Sequence, residues 1–293
     1  MKYRITHLTH YDYAEPVSIG HNIAHLTPRN TERQRLDNCE LSIEPSASTR
    51  SERLDYFGNK TVFFSIQIPH QTLNVISRSE VRVDPAPLPD LGLDQPWESV
   101  RDDLWNRRRE HLEVFEFTLD SPSVRRSSEL ASYAAESFPP GCGLVHGALD
   151  LMTRIFHDFT FDSSTTTVST PLGDVLAMRR GVCQDFAHLG IGALRSVGLP
   201  ARYVSGYLRT IAPPGKSRLV GADASHAWLS LYVPWMGWLD LDPTNNQVVS
   251  EDHITLAWGR DYSEVSPLRG VILGGRGQSV SIAVDVEALE PVS

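Results

Sequence analysis

Apolar and polar residues alternate along the chain from its start to about residue 83. One alternating run begins at Lys2, and another places Cys39, Leu41 and Ile43 on one side. The segment Asp55–Lys60 carries a Gly-Asn pair between two β-rich runs, which is typical of a turn. Because a period of two predicts half-buried strands, we expect an antiparallel β-sandwich in this region.

The pattern changes after the proline-rich stretch at residues 84–90. Such a linker marks a boundary, and we place the domains at 1–88 and 89–293. Ser121 is the expected N-cap of a helix that has Pro122 at its first position. Helices are predicted over 122–137, 144–157 and 171–178, and a short helix or an ordered crossing segment over 96–105. Strands are predicted over 201–208, 226–233, 238–242 and 280–286, and a surface loop over 212–217. Helices followed by strands indicate an α+β class for this second domain, with the last strand as a C-terminal extension.

A further helix is predicted to begin at Cys183, directly after a Gly181-Val pair, and to stop before Gly198 and Pro200. Its apolar positions recur with the period of a helix that has one buried face: Phe186, Ala187, Gly190, Ile191, Leu194 and Val197. A thiol in the first helical turn lies near the positive end of the helix dipole and near unpaired backbone N–H groups. Both favour the nucleophilic thiolate.

The amino-acid composition argues against several classes of protein. The 293 residues carry a formal net charge of -9, which argues against nucleic acid or an anionic membrane as a partner. The first residues contain no apolar run of a secretory signal, and no stretch is long enough for a transmembrane helix. Three cysteines without a CxxC pair favour neither a disulfide scaffold nor a zinc ribbon. We therefore expect a soluble protein in a reducing cytoplasm.

A cysteine nucleophile needs a base, and the base needs a group that orients its ring. His226 opens a strand of strict alternation, and the returning strand offers two carboxylates on one side, Asp240 and Asp242. The alternation alone does not choose between them. If Val233 paired with Trp238, His226 and Asp242 would face opposite sides of the hairpin. A Cys183-His226-Asp242 triad therefore requires a bulge or an odd-length connection in this hairpin.

Several motifs in order resemble the transglutaminase-like superfamily, and more narrowly its bacterial members with an N-terminal β domain. They are Gly181–His188, Gly198–Gly206, Ser225–Trp228, Gly237–Thr244, and the flanking stretches Asp55–Asn59 and Gly259–Pro267. The resemblance implies a papain-like core. It places Cys183 at the nucleophile, His226 at the base and Asp242 at the orienting carboxylate. The calcium sites of the animal enzymes have no recognisable counterpart here, so we expect no metal and no cofactor.

The resemblance implies acyl transfer through a thioester on Cys183, ending in hydrolysis (a cysteine protease or amidase) or in transamidation. A peptide or protein is the expected substrate. The alternative is a catalytically silent fold that acts as a protein-binding module. The Cys183 backbone N–H is the expected half of an oxyanion hole, and the second donor stays unassigned, as does the oligomeric state.

We expect structural roles for the other conspicuous residues. Cys39 and Cys142 lie in no partnered motif, and His188 is expected to pack or hydrogen-bond on the nucleophile's helix. Asp185 suits a helix start, where a carboxylate meets the positive end of the dipole. The histidines near the N-terminus, at positions 7, 10, 21 and 25, lack the acidic or cysteine neighbours of a metal site.

Overall fold

The computed structural model describes residues 1–210 and 224–289. The first 83 residues form five strands, β1 (Lys2–Ala24), β2 (Gln34–Glu44), β3 (Thr49–Leu54), β4 (Lys60–Ile66) and β5 (His70–Val83). All of their pairings are antiparallel. β1 is long enough to pair with β5 through its first half and with β4 through its second. Apolar side chains of β1, β2, β4 and β5 form a core cluster of this sheet.

The end of the chain returns to this sheet. β13 (Leu268–Gly274) and β14 (Gln278–Leu289) pair antiparallel with the other edge of β1. The strand expected over 280–286 is therefore present within β14. It lies in the N-terminal sheet, and its Val284 and Val286 pack into the same core cluster as residues of β8 and β9. The division of the chain at 88 and 89 stays a prediction.

Helices and short strands occupy the middle of the chain: α1 (Trp97–Asn106), α2 (Leu112–Phe115), α3 (Ser128–Ala135), α4 (Leu144–Asp158), β6 (Thr160–Phe161), α5 (Leu172–Met178), β7 (Arg180–Gly181) and α6 (Cys183–Ser196). Four of these helices lie within about two residues of the predicted bounds. The helix expected from Pro122 begins only at Ser128, so Ser121 is not its N-cap. Ser127 has that role, because its side chain accepts a hydrogen bond from the Leu130 N–H.

A tertiary contact explains the late start of α3. Asp261, which is fully buried, accepts a hydrogen bond of 2.6 Å from the Ser123 backbone N–H. Ser121 and Val124 exchange two backbone hydrogen bonds in a tight turn. Both contacts hold residues 121–124 in a conformation that is incompatible with a helix.

A second sheet follows α6. It consists of β8 (Ala201–Leu208), β9 (Ala224–Val233), β10 (Gly237–Asp242), β11 (Gln247–Val248) and β12 (His253–Gly259), in the spatial order β11-β10-β9-β8-β12. The short helix α7 (Tyr262–Val265) connects this sheet to β13. The surface loop predicted over 212–217 lies outside the described residues. No helix of the described residues is both long enough and apolar enough to span a bilayer.

Helix α6 is the centre of the second domain. Residues 185–195 are all buried, so the helix is enclosed on every side, where the sequence predicts one buried face. The sheet covers one side, with β9 and β8, and α3, α4 and α5 cover the others. Near the helix end, the buried Arg195 donates hydrogen bonds to the carbonyls of Phe117, Ala201 and Arg260. Because these acceptors lie on different segments, Arg195 ties the helix to its surroundings.

Two amide side chains join the N-terminal sheet to the edge strand β12. Gln34 donates from Nε2 to the Thr255 carbonyl and accepts from the Thr255 N–H, both at 2.8 Å. Asn59 makes the same reciprocal pair with Trp258, at 2.8 and 3.0 Å. Each side-chain amide makes the pair of hydrogen bonds that the backbone of an adjacent strand would make with β12. The otherwise open edge of the second sheet is thereby covered.

We expect Gly206→Ala to destabilise the fold by about 1 to 3 kcal/mol. A Cβ at Gly206 would meet the Ile254 carbonyl oxygen and the Trp228 ring, where three strands come together. In Gly173→Ala, the matched control in α5, the added methyl group meets nothing within 4 Å. This variant should be as stable as the wild type or gain roughly 0.5 to 1 kcal/mol. Urea denaturation of both variants measures the difference, and equal stabilities would contradict the packing described here.

Candidate active site

Cys183 is the first residue of α6, as predicted, and it is half-buried. Asp185 accepts a hydrogen bond of 2.9 Å from the Val182 N–H, just before the helix. The same carboxylate oxygen accepts a hydrogen bond of 2.7 Å from the Thr166 hydroxyl. Asp185 therefore fixes the turn that presents the thiol and fastens the polar loop beside it. N–H groups in this first turn have no acceptor within the helix.

The hairpin of β9 and β10 has the odd-length connection that the triad requires. Val233 pairs with Gly237, so three residues, Pro234 to Met236, join the strands. Gly237 has φ 83°, a left-handed conformation that glycine adopts at little cost. In this register the pairs continue to Leu241 and Leu229. His226 and Asp242 consequently lie on the same face.

His226 Nε2 and Asp242 Oδ2 are 2.8 Å apart. Asp240, the other carboxylate on this face, makes no such contact. The structure thereby resolves the choice that the alternation pattern left open. Asp242 contacts Nε2, so Nδ1 is the ring nitrogen left for a further partner, and the charge of Cys183 acts on this ring.

Burial opposes a charge on His226, which is 8% exposed. The hydrogen bonds and negative charges of Asp242 and Cys183 outweigh burial and raise the pKa of His226 to about 10. The ring is therefore an imidazolium near neutral pH. An imidazolium at this position can donate a proton to a neighbouring group.

Asp242 has no exposed surface, and its two oxygens accept hydrogen bonds from four neighbouring residues. Oδ1 accepts from the backbone N–H groups of Thr244 and Asn245, at 2.9 and 3.2 Å. Oδ2 accepts from the Asn245 side chain at 2.7 Å and lies 3.1 Å from His253 Nε2. Burial alone would raise the pKa of Asp242, but its hydrogen bonds with His226 and His253 hold that pKa well below the usual range. Asp242 is thus a carboxylate at any physiological pH.

The sequence analysis missed His253. Its Nδ1 accepts a hydrogen bond from the Ser250 backbone N–H at 3.3 Å, so that nitrogen carries no proton. The proton is then on Nε2, which donates to Asp242. A single histidine before an apolar strand carries no signal of this role. Only the pairing of β12 with β8 brings His253 to the carboxylate.

His226, Asp242 and His253 also have a composition that suits a metal ion, and their ligand atoms lie within 4.8 Å of one another. Both Nε2 atoms, however, point at the same carboxylate oxygen, at 2.8 and 3.1 Å. A shared ion would have to replace both hydrogen bonds. The observed geometry therefore accounts for each of these atoms without an ion.

The remaining residues singled out in the sequence have partners elsewhere. His188 accepts a hydrogen bond from the Tyr262 N–H, and burial lowers its pKa to about 4. Near the N-terminus, His7 contacts Tyr207 and Thr9, whereas His25 contacts the Ser266 carbonyl. Among the described residues, none of these histidines lies in a group of three or more residues that could hold a metal ion.

Comparisons with known proteins agree with this architecture. The family described as the bacterial transglutaminase-like N-terminal region matches residues 3–82, and the transglutaminase-like superfamily matches residues 143–243. An uncharacterised protein of Mycobacterium tuberculosis is 44% identical over 298 residues, which cover 99% of this chain and 93% of the relative.

A protein-glutamine gamma-glutamyltransferase of Pseudomonas aeruginosa is 40% identical over 67 residues, which are 22% of this chain and 10% of that enzyme. A solved structure from Cytophaga hutchinsonii, described as a candidate cysteine protease, has a TM-score of 0.76 at 21% identity. The likeness covers 99% of this chain and 91% of that chain.

The expected fold, an α+β core of this type preceded by an antiparallel β region, is thereby confirmed. The two family regions match in the expected order, and the similarity to the mycobacterial relative extends over nearly the full length of both proteins. The chain therefore belongs to the transglutaminase-like superfamily.

Proposed function

We propose that this protein is a thiol-dependent acyltransferase or amide hydrolase with Cys183 as nucleophile, His226 as general acid and base, and Asp242 as the orienting carboxylate. The observation that carries the proposal is the 2.8 Å contact between His226 Nε2 and Asp242 Oδ2, on a ring whose pKa is also raised by Cys183 at the start of α6. Three groups from distant parts of the chain meet in the arrangement that nucleophilic catalysis by cysteine requires.

In the first half of the reaction, the Cys183 thiolate attacks the carbonyl carbon of an amide in a peptide or protein substrate. The resulting oxyanion would accept hydrogen bonds from N–H groups at the start of α6. When the C–N bond breaks, the His226 imidazolium transfers its proton to the departing amine. A thioester on Cys183 and a neutral His226 remain.

In the second half, neutral His226 takes a proton from water or from an amine that attacks the thioester carbonyl. The C–S bond breaks, and the thiolate and imidazolium are restored. Water yields hydrolysis and an amine yields transamidation. The Cytophaga structure's description agrees with the first outcome and the name of the Pseudomonas enzyme with the second.

His253 and Asn245 are positioning residues in this proposal, since each acts through Asp242. They donate to the oxygen that also contacts His226. The carboxylate is thereby held in one orientation, and so is the His226 ring.

Iodoacetamide near pH 6 should alkylate Cys183 at least about tenfold faster than Cys39 or Cys142, because a thiolate reacts and a thiol does not. Cys142 is a stringent internal control, since burial raises the pKa of its thiol. Peptide mapping by mass spectrometry gives the three rates. Equal rates would instead favour the protein-binding module without catalysis.

The Cys183→Ala substitution should lower the pKa of His226 below its value of about 10, because it removes a hydrogen bond and a negative charge that raise this pKa. The wild-type ring should remain protonated at pH 8. Titration of the ¹⁵N-labelled imidazole by NMR measures both proteins. An unchanged His226 titration would show that the thiol and the ring do not interact.

Asp242→Asn should reduce the rate of substrate turnover by about 10²- to 10⁴-fold, as expected when the imidazole loses its orienting carboxylate. Asp150→Asn, which neutralises an exposed carboxylate on α4, is the matched control and should retain full activity. Mass spectrometry of a peptide mixture, with and without an added primary amine, gives rates and distinguishes the products. Circular dichroism should first establish that both variants are folded, and full activity in a folded Asp242→Asn protein would contradict the assigned role.

A further inference from the structure

A cavity of about 480 Å³ lies between the second sheet and the N-terminal part of the chain. Residues 31–34 and 86–87 form one wall, and side chains of β8, β10 and β12 form the other. Its size is within the range of small-molecule sites. None of Cys183, His226 and Asp242 lines it, so the cavity is separate from the candidate active site.

Arg202, on β8, is the most unusual residue of this cavity. It is 8% exposed, and its guanidinium lies between the rings of Trp238 and Trp258, at 4.2 and 3.9 Å from their centroids. Its Nε is buried without a hydrogen-bond partner among the described residues. Burial lowers the pKa of Arg202 to about 9, so the group is still a cation at neutral pH. A buried guanidinium nitrogen without a hydrogen-bond partner is unfavourable and suits an added acceptor such as an anion.

Asp240 supplies the opposite charge in the same cavity. Its Oδ1 is also buried without a hydrogen-bond partner. The charge of Asp240 acts on Arg202, yet the two side chains are not joined by a hydrogen bond. The cavity thus contains a cationic and an anionic side chain, and each has one buried polar atom without a hydrogen-bond partner.

The other lining residues define what would fit between these two groups. Glu32 and Arg33 add one further charge of each sign, so the lining is balanced. The remaining lining includes the apolar residues Met236 and Val248 as well as the polar Thr31 and Gln34. An inorganic anion would satisfy Arg202 but would meet repulsion from Asp240, and an amine alone would do the reverse. A molecule with both charges and an apolar body satisfies all of these groups.

We propose that this cavity binds a free amino acid with an apolar side chain, its carboxylate on Arg202 and its ammonium group on Asp240. The planar guanidinium suits a carboxylate, and the two tryptophan rings hold it in place. The apolar side chain of the ligand lies against the aliphatic wall. This site goes beyond the proposed acyl transfer and does not depend on it.

The test uses the full chain and three related probes: L-leucine, N-acetyl-L-leucine, which lacks the ammonium group, and L-leucinamide, which lacks the carboxylate. Isothermal titration calorimetry should show L-leucine binding about 10- to 100-fold more tightly than either derivative, since each derivative loses a charge-assisted contact. Tryptophan fluorescence, which Trp238 and Trp258 should report, is the second readout. Equal affinities for the three probes, or no binding of L-leucine at about 10 mM, would overturn the proposal.

Substitutions test the contact with Arg202 and the contact with Asp240 separately. Arg202→Met should weaken L-leucine and N-acetyl-L-leucine alike, whereas the isosteric Asp240→Asn should remove only the preference for L-leucine over N-acetyl-L-leucine. Arg125→Met, at an exposed arginine outside the cavity, should bind as the wild type does. If Arg202→Met fails to fold, Asp240→Asn still decides the outcome. Cys183→Ala should bind L-leucine normally, and loss of binding in that variant would place the ligand in the active site and refute a separate cavity.

Discussion

Asp242 has no contact with solvent, and hydrogen bonds from its surroundings must compensate for the water that its charge has lost. Two backbone N–H groups, one amide and two imidazoles supply them. The rest of the site depends on this requirement. A carboxylate satisfied in this way stays ionised and fixed, and it holds the His226 ring where a thiol at the start of α6 can reach it. The thiol in turn depends on Asp185, which fixes the residue before the helix.

The second sheet brings these groups together because its strands contribute in a defined register. β9 carries His226, β10 carries Asp242 and β12 carries His253. The register of β9 and β10 is set by a three-residue connection that ends in Gly237. A shift by one residue would turn Asp242 to the opposite face. The buried helix α6 then sets the position of the thiol relative to the sheet, since it is packed on all sides and tied down by Arg195.

The N-terminal sheet is a structural part of this assembly. The side-chain amides of Gln34 and Asn59 pair with the backbone of β12, and Arg29 stacks on Trp258 at 3.5 Å. Trp258 is thus sandwiched between Arg29 and the buried Arg202. The same contact that joins the two sheets therefore forms a wall of the cavity beside β10. A ligand in that cavity would touch both parts of the chain, two residues from Asp242 along the strand.

Local patterns in the amino-acid sequence were enough to predict the α+β class, the β-rich N-terminal region, the helix that begins at Cys183 and the two strands that carry His226 and Asp242. Periodicity and turn residues are local signals, and these elements follow them. The alternation pattern left Asp240 and Asp242 open, the family resemblance favoured Asp242, and the register of the β9–β10 hairpin brings Asp242 to His226. Folding also brought in His253, returned the last strands to β1 and delayed α3 to Ser128. These three features depend on groups distant in the chain: the pairing of β12 with β8, the free edge of β1, and the carboxylate of Asp261. Such contacts leave no trace in local patterns, because the energy that selects them comes from groups that meet only after folding.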